Sequence, residues 1–533
     1  MILAGFIRSL PHWFAVCRFV STAVSTSFLA RLGLALLFVF ACDAGVTPSI
    51  HAAESSAYAK QSNETEKVSG DADPDRGFDF LTNHALLPSD FDQEVFDDLW
   101  RSWPEPLKSR AADASIAERR AMAFDRYGLT PRPDATGPTT DTNNSSTSVA
   151  KPAALEPTTD GREDPGLPLQ YVVDEEGNWT MNCFSCHGGS VYGRPTPGAP
   201  NNRFALQTLT EDVRSTKFRL GKPLGRMELG SLIIPLGTTH GTTNAVVFGM
   251  GLMHYRDDNL NVVQRTPVSF THHDMDAPPW WYFYRRPYIY IDGFAEKGHR
   301  GLMQFTLVPE NDASFYPENE DSFRDVYAYL SSLRPPKYSE SIDAALADKG
   351  RHLFEQTCAE CHGTYGHASD AESIAAYPNR MVPIDEIGTD AVRHRALTVA
   401  GRERYSRSWF ANAGEPDEQT TLTDPKGYVA PPLDGVWASA PYFHNGSVPT
   451  LWHVLNPSER PTVWRRVGEA MDERQIGLTV EEVERVPLEE PDVAIRRGYF
   501  DTRRFGKSAA GHDYPDALDE DEKLAVLEYL KTL

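Results

Sequence analysis

Cys-x-x-Cys-His occurs twice in this 533-residue chain, as N-C-F-S-C-H-G-G at 182–189 and T-C-A-E-C-H-G at 357–363. The copies lie 175 positions apart, and only Cys17 and Cys42 stand outside them. By composition alone the pattern would arise about 0.002 times in such a chain. Two thiols three positions apart, with an imidazole directly behind them, must fold around something all three can reach. With no spare cysteine beyond residue 42, a disulfide framework is not the expected use.

This spacing is the attachment signal of a c-type haem: the thiols form thioethers with one porphyrin, and the histidine aims at its iron. Zinc also suits cysteine and histidine, but zinc ribbons bring their second pair within a few tens of residues. A thioredoxin-like redox pair needs a βαβ setting and gives no reason for the histidine. The expected cofactors are therefore two covalently bound haem c groups. Cys183, Cys186 and His187 hold one, and Cys358, Cys361 and His362 the other.

The chain is too long for one ordinary core. Arg8, Arg18 and Arg31 precede the apolar run L-G-L-A-L-L-F-V-F-A at 32–41, too short to span a bilayer comfortably. We read residues 1–52 as an export signal and 53–79 as a flexible mature N-terminus. A lipoprotein cysteine at Cys42 is the lesser alternative. The expected location is periplasmic or secreted, with no transmembrane helix in the mature chain. Residues 130–168 are rich in Pro, Thr, Ser, Asn and Asp and read as a disordered insert. Capped apolar periodicity predicts helices within 87–100 and over 115–127, 321–333, 341–357 and 518–533. Two of these end alike, in Y-L-S-S-L and Y-L-K-T-L. Strand signals are few. The expected fold is mainly α: two cytochrome-c-like helical domains in tandem, at 80–340 and 341–533, with long irregular loops and an N-terminal extension.

What each iron does depends on its other face. For the second, the candidates are His367, His394, His444, His453, Met471 and His512. Two have distinctive settings: A-S-A-P-Y-F-H-N-G-S around His444, and G-K-S-A-A-G-H-D-Y around His512, just before the terminal helix. On these residues, with the two Cys-x-x-Cys-His motifs, roughly 80–533 resembles the bacterial dihaem cytochrome c peroxidase superfamily. That group includes the MauG enzymes, and the rubber-oxygenase-like branch looks nearest. The resemblance implies that His512 ligates the second iron, with His444 as runner-up. It also implies that His187 is the proximal ligand of a reactive first iron.

The stretch H-H-D-M-D-A-P-P-W-W-Y-F-Y at 272–284 then supplies pocket candidates in Trp280 and Trp281, joined by Phe294. Read alone, such an aromatic run is more often core packing. His299, Arg300 and Gln304 could serve peroxide chemistry, and His240, His254, His272 or His273 could cap the iron. No Asp-rich loop for calcium appears. A net charge of −23 argues against nucleic acid and favours a basic redox partner protein. The sequence therefore points to an exported haem oxidoreductase of the peroxidase or oxygenase type. Its partners would be a small electron donor or acceptor protein and peroxide, dioxygen or a small organic substrate. A plain electron carrier with both irons six-coordinate is the alternative.

Overall fold

The computed structural model describes residues 71–133, 165–266, 270–366 and 376–533. The expected signal segment, most of the insert and His367 lie outside the described residues.

Two helix pairs frame the chain. The first is α1 (Pro74–Asn83) with α2 (Glu320–Ser332), and the second is α3 (Ala344–Thr357) with α4 (Glu520–Leu530). Asp73 starts α1 by accepting the Asp75 N–H at 2.9 Å, with Pro74 in the first turn. Asp343 caps α3 through the Ala345 and Leu346 N–H groups, and Asp519 with Glu522 forms a capping box on α4. In each pair a glycine allows close crossing. A Cβ on Gly77 would collide with the Asp325 carbonyl and meet Tyr329, and one on Gly350 would collide with the Ala525 carbonyl and meet Tyr529. The matching Y-L-x-x-L endings are thus the partners of these glycines. Helix α1 begins inside the stretch expected to be a flexible N-terminus.

The mainly-α expectation is overturned. The described residues are 40% helical and 12% strand, with five small sheets, and two tandem cytochrome-c-like domains are not shown. Many helices are single turns. Between the long pairs run loops and short hairpins, as 39 prolines and 38 glycines favour. The longest strands, β1 (Val463–Asp472) and β2 (Gly477–Glu482), form an antiparallel hairpin, and β3 (Tyr499–Asp501) pairs with the other edge of β1.

The first helix pair buries Phe80, Phe323, Val326 and Leu330 in a core shared with Phe184, Trp280 and Phe294. The second buries Phe354, Val526 and Leu527 with Trp281, Trp437 and Trp464. Buried and half-buried ion pairs join residues before 340 to residues after it. Asp292 accepts from Arg393 at 3.0 Å and Arg402 at 2.6 Å, and Arg285 meets Asp434 at 2.7 Å. No helix among the described residues is long and apolar enough to cross a membrane.

Candidate haem sites

Cys183 and Cys186 flank and enter the one-turn helix Phe184–His187, which Asn182 starts by accepting the Phe184 N–H at 2.9 Å. Phe184 is wholly buried, anchoring that turn in the first core. Cys358 follows α3 and begins the turn Ala359–His362. None of the four thiols is in a disulfide. Burial pushes Cys183 and Cys358 up to about 12 and Cys186 to about 11, so they stand as neutral thiols.

The two histidines are held identically. Nδ1 of His187 lies 3.1 Å from the Pro278 carbonyl, and Nδ1 of His362 lies 2.9 Å from the Pro431 carbonyl. A carbonyl can only accept, so each Nδ1 carries the proton and each Nε2 keeps its lone pair. This is the orientation a metal-binding imidazole needs, with the carbonyl raising its basicity. Desolvation lowers His187 to about 4 and lowers His362 too, so both rings are neutral at pH 7. The prolines belong to A-P-P at 277–279 and again at 430–432. Sequence reasoning missed that repeat, because the contact is made by backbone.

Beyond the second histidine stands His512. Its ring centroid is 6.1 Å from that of His362, with an interplanar angle of 66°. A metal–imidazole bond of about 2 Å and the half-width of the ring place two trans imidazole centroids about 6 Å apart. The gap fits an iron held from both sides. His512 is lowered to about 3 by desolvation and by His362, and its buried Nδ1 has no hydrogen-bond partner among the described residues.

The other candidates are otherwise engaged. Nδ1 of His453 lies 2.8 Å from the Thr450 hydroxyl, and Nε2 of His394 donates to the Pro425 carbonyl at 3.0 Å. His444 lies against Tyr428, centroids 4.7 Å apart. Met471 sits on β1, packed against the second core.

At His187 the arrangement differs. Trp280 stacks on its imidazole, 4.7 Å between centroids at 24°, and among the described residues no second imidazole faces it. Trp280, sought in the reactive pocket, is thus a neighbour of the histidine that would ligate the iron. Trp281 points into the other core, next to Gly435, with its Nε1 unpartnered. Phe294 shares the core of Phe184 and Cys183 and packs 5.0 Å from Tyr405 and 5.4 Å from Tyr290. The three aromatics are therefore not one cluster.

The polar candidates have structural partners. His299 and Arg300 both meet Glu320 at 2.8 Å, at the start of α2. Gln304 accepts from the Tyr290 hydroxyl at 2.8 Å. Nε2 of His254 donates to the Thr266 carbonyl at 2.9 Å, and Nε2 of His272 is 3.2 Å from Asp274. His273 donates from Nδ1 to the Thr271 carbonyl at 2.9 Å. His240 lines a cavity of about 520 Å³ with Arg126, Arg466 and Trp464.

No three His, Cys, Asp or Glu side chains among the described residues converge as a metal cage. Structural zinc takes four such ligands, whereas porphyrin supplies four donors of its own and asks only for axial ones. The donor set fits haem.

Residues 427–465 match a family described as RoxA-like, cytochrome c-like. The matched segment contains Pro431, His444 and Arg460. It supports a relationship to rubber-oxygenase-like cytochromes and, through it, covalently bound haem c. Two curated relatives are uncharacterised proteins of Sinorhizobium fredii. One, y4iM, is 30% identical over 245 residues, covering 38% of this chain and 52% of its own length. The other, y4iJ, is 28% identical over 264 residues, covering 38% of this chain and 42% of its own length. The chain spans about half the length of the curated relatives it matches.

Proposed function

We propose that the chain is an exported dihaem c-type cytochrome acting as an oxidoreductase, with peroxide or dioxygen activated at the His187 site and electrons transferred at the His362 site. Haem, when bound, would supply the redox iron, held by His187 alone at the first site, where a small oxidant could reach it, and by His362 and His512 at the second.

The protein's part begins with Cys183, Cys186, Cys358 and Cys361, whose half-buried thiols would form the thioethers. Pro278 and Pro431 hold the proton on Nδ1 of His187 and His362, leaving Nε2 to the iron. Trp280 restrains the His187 ring by stacking. His512 closes the far side of the second site, which suits electron transfer because the ligand set need not change with oxidation state.

One observation carries the division of labour: an imidazole stands 6.1 Å from His362, whereas among the described residues no imidazole ring is paired with that of His187. The loop before α4 supplies His512, whereas the stretch before α2, P-E-N-D-A-S-F-Y-P-E-N at 309–319, contains neither histidine nor methionine, and its Tyr316 is buried against Trp409 and Phe410. An acidic surface, net −23, favours a basic electron-donor or acceptor protein.

The oxidised protein should give one high-spin and one low-spin haem signal, and cyanide should convert the high-spin one. A wholly low-spin spectrum would instead make the chain a simple electron carrier. Oxygen uptake with an unsaturated hydrocarbon and no added reductant marks an oxygenase. Peroxide consumption with a reduced donor protein marks a peroxidase.

A further inference from the structure

We propose that Arg460 is the positioning residue that keeps His512 in place opposite His362. This rests on the reading of His512 as an axial ligand.

His512 is poorly held by its own ring. Nδ1 of His187 and of His362 each donates to a proline carbonyl, but the buried Nδ1 of His512 has no acceptor among the described residues. Metal-binding histidines ordinarily rely on that second contact for their orientation. The backbone is also in the left-handed region, which disfavours any residue with a side chain: His512 has φ +56°. Gly511, at φ +79°, passes so close to Gly388 that a Cβ would collide. The His512 N–H donates to the Ile387 carbonyl at 2.8 Å. Upstream, the Ser508 N–H donates to Asp390 at 3.1 Å and its carbonyl accepts from Asn445 at 3.0 Å, but neither reaches residues 509–512.

Arg460 holds the other edge. Its Nη1 donates to the carbonyls of Ala509 at 2.6 Å and Gly511 at 2.7 Å, and its Nη2 reaches the His512 carbonyl at 3.5 Å. Nε donates to the His453 carbonyl at 2.9 Å, and Nη2 reaches the Val454 carbonyl at 3.4 Å. The guanidinium therefore ties the 509–512 loop to the helix Leu451–Leu455. It also lies 4.9 Å over the ring of Phe443, which is itself 6.0 Å from His512.

The side chain is only 5% exposed, and its nearest carboxylate, on the exposed Asp513, is 4.0 Å away. A buried cation satisfied by carbonyls rather than by an acid is costly. Its five-donor fork matches a set of loop carbonyls that no other side chain can span. A lysine keeps the charge and loses the fork.

The test compares Arg460→Ala, Arg460→Lys and His512→Ala, each as the full chain with haem bound. Carbon monoxide uptake by the reduced protein and the spin state of the oxidised protein are read. Wild type should bind one equivalent of carbon monoxide. His512→Ala should bind two, and both Arg460 variants should move most of the way toward two. A guanidinium salt at non-denaturing concentration should return Arg460→Ala toward one, whereas urea should not. Arg460→Lys keeps the test alive if the alanine variant does not fold. If His512→Ala shifts the spectrum and a folded Arg460 variant stays at one equivalent, the positioning role is wrong. If His512→Ala itself changes nothing, the axial assignment has failed instead.

Discussion

The imidazoles of His362 and His512 face each other at a centroid distance of 6.1 Å, in the half of the chain where Pro431 has already fixed the tautomer of His362. Removing His512 should therefore open one iron without disturbing its other ligand. His512→Ala should shift the second haem from low to high spin and leave the signal of the first unchanged. An unaltered spectrum would move the assignment to His444 or Met471.

Gly77 and Gly350 are points of close backbone approach in the two helix pairs. A methyl group at Gly350 meets the Ala525 backbone, which cannot swing aside as a side chain could. Gly350→Ala should cost about 1–3 kcal/mol or more by overpacking, and Gly77→Ala should do the same against Asp325. Denaturant unfolding measures both. A loss below ~0.5 kcal/mol would mean that the helices separate freely there.

Asp292 is wholly buried between Arg393 and Arg402, whose side chains are 1% and 3% exposed. Removing one partner of a buried ion pair commonly costs about 3–5 kcal/mol, because the remaining charge has no counterion. Asp292→Asn should show a loss of that size. Adding Arg402→Met should recover part of it, and the double variant checks the coupling. Strictly additive losses would mean that the carboxylate is not what neutralises Arg402.

Acid should weaken a second buried site. Asp274 accepts from Lys507 at 2.9 Å, from the Thr238 N–H at 3.0 Å and from the hydroxyls of Thr238 at 2.5 Å and Thr242 at 2.9 Å. Burial opposes its ionisation, but His272, Lys507 and Thr238 outweigh burial and hold the carboxyl well below the usual range. A depressed carboxylate contributes stability that is present above its unfolded pKa, about 3.9, and is lost as the pH falls toward the folded value. The stability gap between wild type and Asp274→Asn should be large at pH 7 and shrink below pH ~4. A gap independent of pH would show that the ionised form contributes nothing.

Features set by side-chain identity were legible in advance. Both Cys-x-x-Cys-His turns and the capped helices follow from residue type and spacing, whereas the choice of His512 rests on the family resemblance. What the chain does with its backbone was not. The carbonyls of Pro278 and Pro431 orient two histidines, and nothing in a side-chain pattern says which way a carbonyl points. The A-P-P repeat was the available signal. Helix α1 was hidden because its neighbours are polar and Gly77 weakens helical propensity, although Asp73 and Pro74 mark its start. The β1–β2 hairpin escaped because R-R-V-G-E-A lacks clean alternation and bulges between Arg466 and Met471. Trp280 was assigned to a pocket by its company in W-W-Y-F-Y, while its stacking partner lies 93 positions earlier.

The most direct test of the whole account is the intact mass of the purified protein under denaturing conditions, read beside its absorbance. Covalent attachment at both motifs predicts a chain heavier by two haem groups, with the visible colour retained. Cys358→Ala with Cys361→Ala should reduce the excess to one. A chain at its bare polypeptide mass, with colour absent or lost on unfolding, would contradict the account at its root.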